Sequence, residues 1–319
     1  MYIQPYHCPR AKCAYHTNAP YGFYIKKGYF TPKWSGHPVP KYQCKGCKKH
    51  FSASTFKDIY RQKKPFINRQ VFEDMCAGKT MRRQAIHIGV ARRTILKRLL
   101  WLGQKIKRIH QYELAHGIFK REQLSMFQFD EMETFISSKL KTVSVPLAVA
   151  RIRDPDKEVK NPRKRAVQKR YRPLIIDIGV AKRNAKGHIA QLSQQKYPGW
   201  VNLRNKKDRK NSLLKILRTV VSVAPPIFHV TSDSDRGLIG AAKEIKKTIA
   251  PGLNHHKIKS RKIDINKQYD PMFYLNHACA RIRADLCRMR RRTWATSKKI
   301  ENLEAHLWCY VAWNNGYRV

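Results

Sequence analysis

Acidic residues are scarce in this chain of 319 residues: 21 Asp and Glu stand against 67 Lys and Arg, a formal charge of +46. So few acids leave an isolated soluble protein self-repelling unless a polyanion neutralises it, and nucleic acid is the expected partner. A ribosome-associated protein or a binder of membrane surfaces shares this charge signature. Long hydrophobic runs are missing too. No stretch of about 18 apolar residues occurs, and the N-terminal "MYIQPYHCPRAKC" has no apolar signal core, so the expectation is a cytoplasmic, nucleoid-associated protein with no membrane partner. Disorder is excluded by an apolar content of 42%, ordinary for a folded chain and, at this length, enough for two or three domains.

Eight cysteines suggest disulfides in a secreted chain, but here four fall in metal-ligand spacing. Cys8-x4-Cys13 and, thirty residues on, Cys44-x2-Cys47 offer four thiolates on two knuckles, as a tetrahedral structural zinc requires. The alternatives are free cysteines, or His7, His16 or His50 in place of one of them. A zinc-binding ribbon over residues 1–60 has little core of its own, so the metal would supply much of its folding free energy. Basic and aromatic residues in "CKGCKKHF" suit phosphate contact. Cys76, Cys279, Cys287 and Cys309 lie among apolar neighbours and read as reduced and structural.

Residues 61–123 turn helical, with three helices of which the last is extended. In "AGKTMRRQAIHIGVARRTILKRLL" a helix, a turn through Gly89 and a second helix opening at Arg92 give a helix-turn-helix layout, although any three-helix scaffold can mimic it. Arg92, Arg93, Thr94 and Lys97 are the candidate DNA-reading residues. From residue 124 to 319, strand-like segments come first and then alternate with helices, which implies a mixed sheet covered by helices within a multidomain α+β protein. The segment at about 153–172 is too polar and basic for a core and reads as a solvated loop or a DNA-contacting arm.

Asp130 in "MFQFDEMETF" and Asp233 after "PPIFHVTS" lie in apolar strands, where an unpaired carboxylate is costly unless a strand end opens on a metal. Two such acids on separate strands can share divalent cations; a helix cap or a salt bridge is the plainer reading of either alone, and Asp235 looks like the N-cap of the following helix. A third ligand is sought on the helix containing Asn276. At about 100° per residue Arg283 shares its face, whereas Asp285 points roughly opposite. His255 and His256 read as a solvated or phosphate-contacting loop.

Taken in order, the zinc knuckles, the helix-turn-helix, "FDEMETF", "VTSDSD" and the arginine-rich terminal helix resemble bacterial DDE-type insertion-sequence transposases, most of all those of the insertion sequence 1 group and its relatives. There a zinc knuckle and helix-turn-helix precede "DEQW", a "TD" strand end, and a helix with an acid, an Arg seven later, "RKS" or "RKT" and "FSKS". Asp130-Glu131 and Thr231 to Asp233 fall on the first two elements. Seventeen positions before Thr293 stands Asn276, where the group usually has Glu, and Arg283 takes the basic position. The resemblance implies a ribonuclease H-like catalytic domain with Asp130, Asp233 and Asn276 as catalytic residues on Mg²⁺ or Mn²⁺. It further implies cleavage and joining of double-stranded DNA, transposon ends and target alike, by at least a homodimer. Arg283, Arg290, Arg291, Arg292 and Lys298 would then hold phosphates, and Trp294 would stack on a base or pack in the core. A neutral Asn276 leaves open a catalytically silent, transposase-derived DNA-binding protein.

Overall fold

Aromatic rings, more than aliphatic side chains, form the interior of the cysteine-rich N-terminal segment. After a short helix α1 (Ala14–Thr17), strands β1 (Tyr24–Phe30), β2 (Val39–Cys44) and β3 (His50–Ser52) pair in that order as an antiparallel sheet. Phe23 stacks on Phe51 with centroids 6.3 Å apart, and Tyr42 and Val39 close the cluster around Cys8, Cys13 and Cys44. The computed structural model describes residues 4–117, 119, 124–153, 159–161, 166–168, 171–202, 204–258, 270–290 and 294–319. It contains two compact units, Met1–Asn68 and Arg69–Val319.

In the second unit α2 (Asn68–Cys76), α3 (Met81–Ile88) and α4 (Arg92–His116) follow one another. Thr80 caps α3 by accepting the Arg83 N–H, and the turn into α4 passes through Gly89 in the left-handed region at φ 67°. Ile95, Leu99, Leu102 and Ile106 recur at helical spacing along α4, and all are buried. From Arg69 on, the helices expected at 61–123 belong to the same compact unit as the sheet that follows.

That sheet begins with β4 (Met126–Ile136) and β5 (Ser138–Arg153), a long antiparallel pair. A small hairpin, β6 (Val159–Asn161) with β7 (Ala166–Gln168), lies in the basic insert; the rest of the insert up to Arg170 is outside the described residues. Strand β8 (Tyr171–Ile178) returns antiparallel to β5, and β9 (Ala181–Lys182) also pairs with β5. Then come α5 (Ile189–Lys196), α6 (Arg204–Val223), β10 (Phe228–Asp233), α7 (Arg236–Thr248), β11 (Leu253–Ile258), α8 (Phe273–Asp285) and α9 (Ile300–Asn315). The strand order is β11-β10-β4-β5-β8, with β10 parallel to both β11 and β4.

Alternation along β4 sorts its two faces. Phe127 and Phe129 join Leu213, Leu217, Leu238 and Ile245 of α6 and α7 in the main core. Gln128 and Asp130 face the other way, toward α8. The helix α9 packs along α4 and β8, where the Asn315 side chain bonds both the N–H and C=O of Ile175. The result is a mixed sheet flanked by helices, as expected. Two expectations shift. His255 and His256 lie in strand β11, not a loop, because parallel pairing with β10 gives their backbone its partners. The arginine-rich helix containing Asn276 stops at Asp285, short of Arg290, and Leu286 beyond it is extended. Among the described residues no helix is long and apolar enough to cross a membrane.

Candidate metal centres and nucleic-acid surface

The first centre is built by two backbone turns. Cys13 N–H bonds Arg10 O, Cys44 N–H bonds Lys49 O and Lys48 N–H bonds Cys44 O, so each knuckle aims its thiols inward. Lys48 takes a positive φ of 58° to complete the second turn. Cys8, Cys13, Cys44 and Cys47 offer sulfurs that all lie within 4.8 Å of one another, with Cys8–Cys47 at 3.5 Å and Cys13–Cys44 at 3.8 Å. Four sulfurs at about 2.3 Å from one tetrahedral ion are about 3.8 Å apart, so the donor set fits zinc. Neither His7 nor His16 joins the cluster; both rings bond the Cys8 carbonyl oxygen, at 3.1 and 2.7 Å. Burial pushes the Cys8 thiol up to about 12. At Cys47 burial acts the same way but is outweighed by the Lys49 N–H and the three neighbouring thiols, which bring it down to about 7.

Strand register builds the second centre. Ser232 of β10 stands opposite Phe129 of β4, so the next residues, Asp233 and Asp130, are side by side on the sheet face that carries Gln128 and Thr231. Asp130 is well inside β4, not at its end; the opening arises because β10 stops at Asp233 while β4 runs on to Ile136. Each carboxylate accepts the N–H of its successor, Glu131 at 2.7 Å and Ser234 at 2.6 Å. Burial first, and then the nearby negative charges of Asp233, Glu131 and Asp235, push the Asp130 carboxyl up to about 6. This is the electrostatic condition that a bound cation would relieve.

Helix α8 is laid against this face by Gln128, which donates to Pro271 O at 2.7 Å and accepts the Leu275 N–H at 2.8 Å. Asn276, Cys279 and Arg283 follow at three and four residue intervals on one side of α8. Burial raises the Cys279 thiol to about 12; Arg283 opposes this, and the charge of Asp130 adds to it. Asn276 itself is exposed, and its amide donates to Asp270 at 2.9 Å. Among the described residues no hydrogen bond joins it to Asp130 or Asp233. The structure therefore brings the two aspartates together and sets Asn276 on the adjoining helix, one turn before the thiol that senses Asp130.

The contacts that tie these residues together were not foreseen, although the Asp235 cap was. Glu131, next to Asp130, points to the opposite face, where Arg209 of α6, Arg183 and Ser144 all bond its carboxylate. Burial would raise its pKa, but these partners hold it below the ordinary value. Arg209 also reaches Asp235 at 2.7 Å, and Asp235 caps α7 by accepting the Gly237 N–H. One guanidinium thus ties the strand of Asp130 to the segment just after Asp233. Nothing in "NKKDRKN" distinguishes Arg209 from its basic neighbours. Asp270 was missed as well, although an Asp-Pro step before a helix is a start signal.

On the basic surface, Arg92, Arg93 and Lys97 are exposed at the start of α4, with Thr94 half-buried. Arg283 is half-buried and Lys298 exposed. Arg290 is exposed and bonds Ala284 O at the end of α8. Arg291 and Arg292 lie outside the described residues. Trp294 is 102% exposed, which removes core packing as its role. It edges a cavity of about 500 Å³ with Phe135, Lys139 and Lys298. Compared with known proteins, the chain matches no family model and no curated sequence.

Proposed function

We propose that the chain is a DNA transposase of the insertion-sequence kind, whose four clustered cysteines hold structural zinc and whose second unit is a ribonuclease H-like strand-transfer domain. The observation that carries this reading is the pairing of Asp130 with Asp233 on adjacent parallel strands of a sheet whose other side continues antiparallel through β5 and β8. That arrangement fits a ribonuclease H-like sheet, and two hard oxygen donors side by side suit Mg²⁺ or Mn²⁺. The chemistry such ions supply is activation of a water or 3′-hydroxyl and stabilisation of the leaving 3′-oxygen.

The chain's own residues do the rest. Asp130 and Asp233 furnish negative charge, held in register by the sheet and by the Arg209 clamp behind it. Asn276 would add a neutral carbonyl oxygen, leaving the site one charge short of a three-acid set. Arg283, Arg290 and Lys298 supply positive charge for flanking phosphates, and Trp294 a free ring face. Arg92, Arg93 and Lys97 project from a helix that follows a short turn, as a recognition helix does.

A second reading is favoured by one observation: Asn276 is neutral and its amide is engaged by Asp270. It makes the protein a silent, transposase-derived DNA binder. Assays of 3′-end cleavage and strand transfer with Mg²⁺ or Mn²⁺, on duplexes carrying the DNA that flanks the gene, separate the two. Asp130→Ala is expected to abolish both reactions while leaving duplex binding intact, and equal activity in the variant sinks the enzyme reading. If the wild type is inert and Asn276→Glu is active, the silent reading holds.

A further inference from the structure

We propose that the first unit binds an unpaired nucleic-acid strand, stacking its bases on tyrosines that a glycine bulge gathers into one cleft. The inference is independent of the chemistry at Asp130.

The cleft begins in the register of β1 with β2. Lys26 pairs with Tyr42 and Tyr29 with Pro40, so two residues, Lys27 and Gly28, oppose the single Lys41. Gly28 has φ +80°, the conformation of a glycine bulge. Without the extra residue, strict alternation would put Tyr29 on the opposite face from Tyr24 and Lys26. With it, Tyr29 turns to the side of Tyr42 and Pro40, and Tyr24, Lys26, Tyr29 and Tyr42 all line one cavity of about 810 Å³. Tyr6 and Tyr21 form its other walls. That volume is within the range of about 300–1,000 Å³ of sites that enclose small organic molecules.

Ring exposure is the second observation. Tyr6, Tyr21 and Tyr29 are 65%, 106% and 61% exposed around the same cleft. Among the described residues neither Tyr21 nor Tyr29 has an aromatic partner, whereas Tyr24 and Tyr42 pack on each other at 4.8 Å and make the floor rigid. Open ring faces over a firm floor are what a splayed-out base requires.

Charge selects the occupant. Residues 1–68 contain thirteen Lys and Arg against one acidic residue, Asp58. A proline-rich peptide would also seat on tyrosines, but it offers nothing to so large a positive excess, whereas a phosphodiester strand does. In a duplex the bases are stacked on each other and closed to the tyrosines, so the cleft is suited to single strands.

The test uses the full-length, zinc-loaded protein and an oligothymidylate of about fifteen nucleotides, followed by fluorescence anisotropy at fixed salt. Tyr21→Ala and Tyr29→Ala are each expected to weaken binding about 5- to 100-fold, with duplex affinity changed less than about twofold. Tyr21→Phe and Tyr29→Phe retain the ring and should bind as wild type. Iodouridine placed along the oligonucleotide should crosslink to Tyr21 or Tyr29. Unchanged oligothymidylate affinity in both alanine variants overturns the proposal, as does an equal loss for duplex or displacement of the strand by a proline-rich peptide. Asp130→Ala, inert in strand transfer, should bind oligothymidylate normally, so failure here is distinguishable from failure of the enzyme reading.

Discussion

Asp130→Asn exchanges a carboxylate whose ionisation is costly in the fold for an amide of the same shape. The Asp130 carboxyl rises from an ordinary 3.8 to about 6, through burial first and the neighbouring acids second. Between those pH values the folded protein keeps a proton that the unfolded chain has released, so wild-type stability falls as pH rises from about 4 to about 6 and is level above. At 1.36 kcal/mol per pKa unit the full cost is about 3 kcal/mol; water at this half-open site screens it to about 1–3 kcal/mol. For a unit of this size the metal-free variant should melt roughly 2–10 °C above wild type at pH 7.5. The gap should close as pH approaches 4. Thermal melts in chelator across pH 4–8 measure it directly. Added Mg²⁺ should raise the wild type by mass action and leave the variant nearly unmoved, so that the two converge. A variant no more stable than wild type in chelator at pH 7.5, or a gap that ignores pH, refutes the account of Asp130 as a destabilised acid waiting for a cation.

Stripping zinc from the first unit, or changing Cys44 to Ser, should unfold that unit and release about one zinc per chain, as read by a colorimetric metal indicator and circular dichroism. Arg209→Met leaves Glu131 buried with Arg183 and Ser144 as its remaining partners, and a loss of about 1.5–3 kcal/mol is expected in urea unfolding; a change under about 1 kcal/mol contradicts the clamp. Replacing Arg92, Arg93 and Lys97 together by Ala should lower the slope of log affinity for duplex against log salt by about 2.7, near 0.9 for each phosphate no longer neutralised.

Much of this architecture is legible in local pattern. The two cysteine pairs announce their cluster because metal ligation fixes spacing; Asp235 announces its helix because an Asp before a helical run caps it. The apolar runs around Asp130 and Asp233 mark their strands. What local pattern could not convey is pairing between distant segments. That β10 lies parallel to β4 and ends beside Asp130 depends on which strands meet, not on either alone. The partners of Glu131 come from Arg183 and Arg209, far along the chain and alike in sequence to many other basic residues. His255 and His256 escaped as strand residues because β11 has no alternation of buried and exposed side chains, and its pairing with β10 is what makes it a strand. Tyr29 escaped because a bulge reverses the alternation that a simple strand would follow.

Helix α4 starts at the exposed Arg92 and continues without a break past His110, whose ring bonds Ile176 O at 2.9 Å in β8 and Tyr317 at 2.7 Å beyond α9. Burial pulls that histidine down to about 4, so the anchor is uncharged and steady at neutral pH. Eighteen residues at about 1.5 Å each separate the two ends by about 27 Å, the length of about eight base pairs. The helix is therefore a ruler. On the proposed reading, a duplex gripped at Arg92 would be held at one fixed offset, and one fixed helical phase, from the sheet that carries the aspartates. A single residue inserted between Arg92 and His110 would turn Arg92 by about 100° about the helix axis relative to the sheet; if the proposed strand transfer holds, it would also shift the point of attack along the DNA.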